Sequence, residues 1–352
     1  MNQTTTKLFE PVTIGAWELR TRTAMAPLTR CFADDETGEV GPDVVEYYRK
    51  RAADGIGLII TEGIIISPLA KGYPRVSGLY TQSQVEAWKK VTDAVHAEGG
   101  KIIAQIWHVG RISHKGMTGG LAPQAPSAIK AEGIAARSKK PYDEPKEMSS
   151  EEIQEVIKQF SQAARNAISA GFDGVEIHGA HGYLIDQFNS EITNTRTDRY
   201  GGDLSQRLTF MKEVIAAVID VVGVDRTLVR FSAHKVDNVD YMWEEPEKAV
   251  ETFIEAFKEV GLKMIHPSIL NFNRILENNM NLYELVRKYW DGFIFGVGDL
   301  DIETAEDALN KEIIDVAVFG RPLISNPVFL KKVRNGEELE PYIGKVHLKT
   351  LV

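Results

Sequence analysis

Short apolar runs rich in β-branched residues alternate along the whole chain with longer stretches whose apolar positions recur at helical spacing. The runs that read as strands are Thr23–Pro27, Gly57–Thr61, Lys101–Ile106, Gly174–His178, Thr227–Phe231, Leu262–His266, Gly292–Phe295 and Asp315–Phe319. Between them lie helix-period segments such as "PDVVEYYRKRAAD", "SQVEAWKKVTDAVHAEG" and "SSEEIQEVIKQFSQAARNAISAG". In the last of these Ile153, Val156, Ile157 and Phe160 mark one apolar face, Ser149 or Ser150 is placed to cap its start, and Gly171 to stop it. Eight strands, each followed by a helix, is the count of a TIM barrel, so the expected fold is α/β, a single (β/α)8 barrel over residues 1–352. A doubly wound parallel sheet fits the same alternation, because a strand count does not prove closure.

A barrel core takes roughly 250 residues, so the remainder must sit in insertions. The clearest is residues 109–148, after the third strand, which is rich in Gly, Pro, Ser and Lys and has little periodicity. Rising from the C-terminal face, where barrels build their active sites, it is expected to serve as a lid.

Several strands carry polar side chains where a barrel interior is normally branched and apolar. Residues two apart share a face, which groups Ile103, Gln105 and Trp107, Leu228 with Arg230, and Glu176 with His178. Gln105, His178 and Arg230 thus fall near the C-terminal ends of three strands and point one way. A buried guanidinium is costly unless an anion or a set of acceptors meets it. A mutually satisfied internal network is the alternative, less economical for three strands than for one. A second signal lies at the last two strands, where Gly296 and Gly298 follow one and Gly320 and Arg321 the next. Glycines let backbone N–H groups approach an anion, these two loops commonly form a barrel's phosphate site, and Arg321 adds a fork of donors.

Composition narrows the classes. With 43% hydrophobic and 26% charged residues the chain can bury a large core. The formal charge of −9 argues against nucleic acid as a partner, and no apolar run is long enough for a membrane helix. Cys31 is the only cysteine, so neither an internal disulfide nor a cluster held by several thiolates is possible. The start, "MNQTTTKLFEPVTIG", shows no basic segment followed by an apolar one. A cytoplasmic protein acting on small molecules is expected.

The stretch "VEIHGAHGYLIDQF", Val175–Phe188, raises the question of a metal. His178 and His181 could supply two ligands and Glu176 a third, yet no comparable cluster sits at another strand end, so no metal site is assigned. The same stretch, within "GFDGVEIHGAHGYLIDQF", resembles the fourth-strand motif of the old yellow enzyme family, the FMN-dependent ene-reductases that include N-ethylmaleimide reductases. "MAPLTR" (Met25–Arg30), "TEG" (Thr61–Gly63), "AQIWHVGRISH" (Ala104–His114), "NTRTDRYGG" (Asn194–Gly202) and "FGRPLISNP" (Phe319–Pro327) extend the resemblance over nearly the whole chain.

The resemblance implies a tightly but non-covalently bound FMN, reduced by NADPH or NADH in a ping-pong cycle and reoxidised by the C=C bond of an α,β-unsaturated carbonyl or nitro compound. It implies that Pro27, Thr29 and Gly63 hold the ring and that Gln105 meets its pyrimidine edge. Arg230 would offset the negative charge gathered on reduction, and Gly298, Gly320 and Arg321 would take the phosphate. His178 and His181 become donors to the substrate carbonyl, Tyr183 the proton donor to its α-carbon, and Trp107 a wall of the substrate pocket. A neutral phenol, with pKa about 10, keeps its proton at neutral pH.

The pattern departs from the family in places. "FNSEITN" lacks the usual Ser-Pro, a proline follows His266, and the tail "PYIGKVHLKTLV" is short, which leaves substrate preference and oligomeric state open. Thr29 stands where the thermophilic-type branch has cysteine, and Cys31 reads as incidental. Lys115, Lys130 and Arg137 in the lid are candidates for selecting the nicotinamide. The rivals are a flavin-free barrel isomerase or lyase using the phosphate site, which leaves Arg230 and Gln105 without a ligand, and a non-enzymatic flavin-binding barrel. A dienoyl-CoA reductase-like assembly is excluded by the single cysteine.

Overall fold

In the computed structural model, which describes residues 6–135 and 137–352, the eight apolar runs become parallel strands. They are β1 (Thr23–Met25), β2 (Leu58–Ile65), β3 (Lys101–Trp107), β4 (Gly174–His178), β5 (Thr227–Ser232), β6 (Met264–Ser268), β7 (Phe293–Gly296) and β8 (Val316–Phe319). Each is hydrogen-bonded to the next, and β8 to β1, so the sheet closes on itself. Closure decides between the two architectures that alternation alone allowed.

Side chains alternate between two apolar compartments. Ile59, Ile102, Val175, Val229 and Ile265 face outward beneath the helices. Leu58, Ile60, Ile103, Leu228, Met264, Phe295, Val316 and Val318 face inward. The N-terminal hairpin, Val12–Ile14 against Trp17–Leu19, plugs the floor of that interior. Trp17 is 1% exposed, meets Phe295 edge-on at 6.4 Å, and donates its indole N–H to the Asp173 carbonyl at 3.0 Å. Periodicity alone assigns no strand to this hairpin, whose three-residue arms are too short for period 2 to register.

The helices follow their local chemistry. The helix over Pro42–Asp54 starts with proline at its first position and ends at Gly55 in the left-handed region. The helix over Ser150–Ser169 carries a reciprocal capping box, Ser149 accepting from the Glu152 N–H at 3.3 Å and Glu152 from the Ser149 N–H at 2.8 Å. Ile153, Val156, Ile157 and Phe160 on its one face are all buried.

One boundary differs in a way that matters. The second strand, expected to stop at Thr61, continues as β2 to Ile65. A register shift between Ile60 and Gly63 sets Gly63 opposite Gln105 of β3. A methyl on Gly63 would stand 2.6 Å from the Trp107 ring, so glycine is required there for the indole to lie flat on the strand. β6 likewise runs on through Pro267 to Ser268. The described residues of the 109–148 stretch hold only two-residue strands, Gln124–Ala125 beside Lys146–Glu147, and are otherwise irregular. No helix among the described residues is long and apolar enough to cross a membrane.

Replacing Trp17 with alanine removes the plug from the barrel floor. The expected loss is about 3–5 kcal/mol in urea unfolding; a loss below ~1 kcal/mol would show that the hairpin is an ornament to the barrel rather than part of its core.

Candidate active site at the barrel mouth

Strand register assembles the upper interior. Gln105 of β3 neighbours Glu176 of β4, and Arg230 of β5 lies between His178 of β4 and His266 of β6. Register neighbours on a sheet point to one side, so these five polar groups form a layer directly above the apolar one. Glu176 is wholly buried and accepts from the Gln105 amide at 2.6 Å and from His266 Nδ1 at 2.6 Å. Its carboxylate is thereby committed, which removes it from any metal site. Among the described residues no three His, Cys, Asp or Glu side chains gather as metal ligands.

Arg230 is 7% exposed and donates through one Nη to the Ser268 hydroxyl at 3.1 Å, while its Nε is buried without a partner. Burial depresses its pKa, opposed by the charge of Glu176, yet a guanidinium stays protonated. The interior therefore holds a cation with unmet donors beneath an open mouth.

Beyond β4 the chain turns sharply. His181 and Gly182 both take positive φ, 62° and 80°. A histidine in this region is uncommon and has to be held there by its surroundings. The His181 N–H donates to Ser232 Oγ at 2.8 Å and its carbonyl accepts from the Val236 N–H at 3.0 Å. The Gly182 N–H donates to Asp186 at 2.6 Å, and Asp186 is itself in a buried ion pair with Lys235 at 3.0 Å. This turn brings the His181 ring within 5.4 Å of His178, centroid to centroid, and 4.7 Å from His234. His181 Nε2 meets Ser268 Oγ at 2.9 Å.

Tyr183, two residues on, packs edge-on to Trp107 at 4.9 Å and to His178 at 5.0 Å. Its hydroxyl lies 3.2 Å from that of Tyr73, whose ring stacks on Trp107 at 5.7 Å. Burial, with Tyr73 adding to it, pushes the Tyr183 phenol well above its ordinary pKa. Burial, with Arg230 next in effect, drives His178 and His181 well below theirs. All three side chains are thus uncharged at neutral pH. The Ala180 N–H donates to His178 Nδ1 at 3.4 Å, which leaves the proton of that neutral ring on Nε2.

The remaining residues singled out from the sequence lie in the loops that follow β1, β7 and β8. Pro27 and Thr29 are half-buried in the loop after β1, which Glu62 anchors by accepting the Arg30 and Cys31 N–H groups at 2.9 and 3.2 Å. Gly298 has φ +141° and presses against the Ile269 carbonyl and Phe272 N–H, so a methyl would meet both at 2.8 Å. Its glycine is explained by that close approach alone. Gly320 precedes the short helix Arg321–Ser325 and faces only the Ala26 and Leu28 side chains. Arg321 stands outside the buried layer, 2.8 Å from Asp299, both exposed. Cys31 is buried and its thiol is pushed up to about 12 by burial, which makes it unreactive.

A flavin fits this donor set. The unmet Arg230 guanidinium wants an acceptor-rich, electron-accepting partner, and Gln105 keeps its carbonyl oxygen and one N–H after serving Glu176. Glycine-bearing loops after β7 and β8 and a flexible Arg321 suit a phosphate. A sequence model of the NADH:flavin oxidoreductase / NADH oxidase family matches residues 7–340.

The chain belongs to this family.

It is an FMN-dependent oxidoreductase of the old yellow enzyme family that draws its electrons from NADH or NADPH. It is 38% identical to 12-oxophytodienoate reductase 7 of Oryza sativa subsp. japonica over 96% of this chain and 90% of that one. It is 39% identical to chanoclavine-I aldehyde reductase of Penicillium roqueforti, over 96% and 91%. Among solved structures, an old yellow enzyme homologue from Zymomonas mobilis superposes with a TM-score of 0.88 at 33% identity, covering 98% and 99% of the two chains. Morphinone reductase in complex with tetrahydroNAD superposes with a TM-score of 0.87 at 34% identity, covering 97% and 93%.

The old yellow enzyme mouth also contains residues that sequence reasoning passed over. Tyr73, His234, Ser268 and the Asp186–Lys235 pair lie in or beside irregular segments and acquire meaning only through what they touch. From the sequence Glu176 is weighed only as a third metal ligand and His266 is marked only by the proline behind it; their pairing shows in the structure alone.

Burial holds six imidazoles of this flavoenzyme below their ordinary pKa: His108, His114, His178, His181, His234 and His266, with His108 and His234 at about 4. In the unfolded chain they titrate near ~6.5, so between those values the unfolded state binds more protons. Stability is therefore full above about 6.5 and falls as pH drops toward 4. Calorimetric unfolding at pH 5 in buffers of different ionisation enthalpy should show net uptake of several protons. Proton-neutral unfolding there would mean that the rings are charged in the folded state.

Proposed function

We propose that this enzyme reduces the C=C bond of small α,β-unsaturated carbonyl or nitro compounds in a ping-pong cycle. The observation that carries the reading is the meeting of two uncharged imidazoles and an uncharged phenol over a buried guanidinium. Such a set can hold an oxygen that gains negative charge and give a proton to a carbon beside it, with no side chain left to quench a hydride.

When bound, FMN supplies two-electron hydride chemistry. Pro27, Thr29 and Gly63 would support its ring, Gln105 would hydrogen-bond it, and Arg230 would offset the negative charge that reduction brings. Gly298, Gly320 and Arg321 would hold its phosphate.

His178 donates from Nε2 to the substrate carbonyl or nitro oxygen. Arg230 donating to Ser268 frees the serine proton for His181 Nε2, so His181 offers its own proton from Nδ1 to the same oxygen. Together they withdraw electrons from the alkene and stabilise the developing enolate. Tyr183 delivers its proton to the α-carbon and takes another from solvent by way of the Tyr73 hydroxyl at 3.2 Å. Trp107 fixes the plane of the pocket through its contacts with Tyr73, His178 and Tyr183. Residues 109–148 act as the lid. Arg111 ties that segment to Asp237 at 2.5 Å, and Arg137 reaches from it to the Thr29 carbonyl at 3.0 Å. We place the enzyme in the cytoplasm, in keeping with a chain whose single cysteine is a buried free thiol.

Tyr183→Phe should slow reoxidation by 2-cyclohexenone about 10²–10⁴-fold while flavin reduction by the nicotinamide keeps its rate in stopped flow. Equal slowing of both half-reactions removes Tyr183 from proton delivery. Arg230→Ala should weaken flavin retention or lower the flavin potential in a spectroelectrochemical titration; unchanged values for both would detach Arg230 from the cofactor.

A further inference from the structure

Just outside the mouth lies a cavity of about 420 Å³ whose charged lining is entirely cationic: Arg30, Arg75, Arg137, Lys139 and Lys349. On a chain with a formal charge of −9, such a concentration without a lining carboxylate is a local reversal of the protein's field. The neighbouring acids stand outside the lining. Asp35 takes the Arg75 N–H at 2.7 Å and Lys71 Nζ at 2.9 Å, Glu62 is buried behind Cys31, and Asp34, Glu39 and Asp43 line an adjoining cavity that shares Phe32 and Arg75. Arg30 is 3% exposed and has two guanidinium nitrogens, Nε and Nη1, without partners. Arg75 is bonded through its Nε, to the Ala33 carbonyl at 3.2 Å, and is exposed.

Position gives this charge a purpose. Pro74 and Arg75 follow Tyr73 directly, and the Tyr73 hydroxyl is 3.2 Å from that of Tyr183. Arg137 lines the cavity and holds the carbonyls of Thr29 and Arg30 at 3.0 and 3.3 Å. A ligand with one end at the Tyr183–His178 pocket can thus place a second, anionic end among these cations. A reductant whose nicotinamide reacts at the mouth carries its phosphates on the far side of the molecule. Arginine forks and lysine point charges are the groups that recognise phosphate.

We propose that this cavity binds the 2′-phosphate on the adenosine of NADPH and so makes the enzyme select NADPH over NADH. The proposal rests on the mouth being the site where the nicotinamide reacts. A dianionic phosphate gains from several converging cations at once, whereas the 2′-hydroxyl of NADH gives them nothing to neutralise. Lys139 and Lys349 are exposed and stand outside the machinery assigned to flavin and alkene, which makes them clean positions to invert.

The test uses the flavin-loaded enzyme and its Lys139→Glu/Lys349→Glu variant. By titration calorimetry 2′,5′-ADP should bind the parent at least about tenfold more tightly than 5′-AMP, one charge-assisted contact's worth, and the variant should lose that difference. The variant's KM for NADPH should rise about tenfold or more, with KM for NADH, flavin content and melting temperature held. Equal binding of the two nucleotides by the parent, or parallel changes in both KM values, overturns the proposal. So does a change confined to the KM of the alkene, which would assign the cavity to an anionic substrate. A preparation that holds no flavin, or whose flavin neither nicotinamide reduces, refutes instead the reading of the mouth, and the calorimetric comparison still decides the cavity.

Discussion

The structure above its apolar floor is organised by one electrostatic constraint, a guanidinium buried inside a closed sheet. Arg230 cannot shed its charge, and a lone cation in a low-dielectric interior is strongly disfavoured. The barrel answers only part of that demand. Glu176 offsets the charge from within the same layer, Ser268 accepts one hydrogen bond, and Nε is left unmet. The same positive charge helps keep His178, His181 and His266 neutral. One residue therefore reinforces what burial does to the imidazoles around it and, in the proposed function, sets the electrostatic environment of the flavin.

A neutral imidazole is useful here only if it stands at the right angle, and that orientation is held by a strained turn. His181 sits in a backbone region that most side chains avoid, kept there by Ser232, Val236 and the buried Asp186–Lys235 pair. Breaking such a buried pair from one side leaves an uncompensated charge and costs about 3–5 kcal/mol. The interaction is thus less a source of stability than a clamp on geometry, placed in the loops that barrels use for chemistry.

Much of this was legible from the chain alone. All eight barrel strands were found within a few residues, because β-branched runs and helical periodicity are local signals. Period 2 sufficed to point Gln105, His178 and Arg230 in one direction, and the fourth-strand motif carried the family. What was not legible depends on contacts between strands. That Glu176 serves both Gln105 and His266 follows from the register of three neighbouring strands. That β2 persists through "TEG" follows from Gly63 packing under the Trp107 ring. Tyr73 and His234 lie in irregular segments, and no periodicity ties them to residues a hundred or fifty positions away. The gathering of Arg30, Arg75, Arg137, Lys139 and Lys349 joins four distant stretches of sequence, each unremarkable by itself.

The hairpin that carries Trp17 has an effect well beyond the floor it fills. With one end of the cylinder sealed by a close-packed tryptophan and the space above it filled by apolar side chains, the barrel keeps no through-channel, and its chemistry is left to the opposite end.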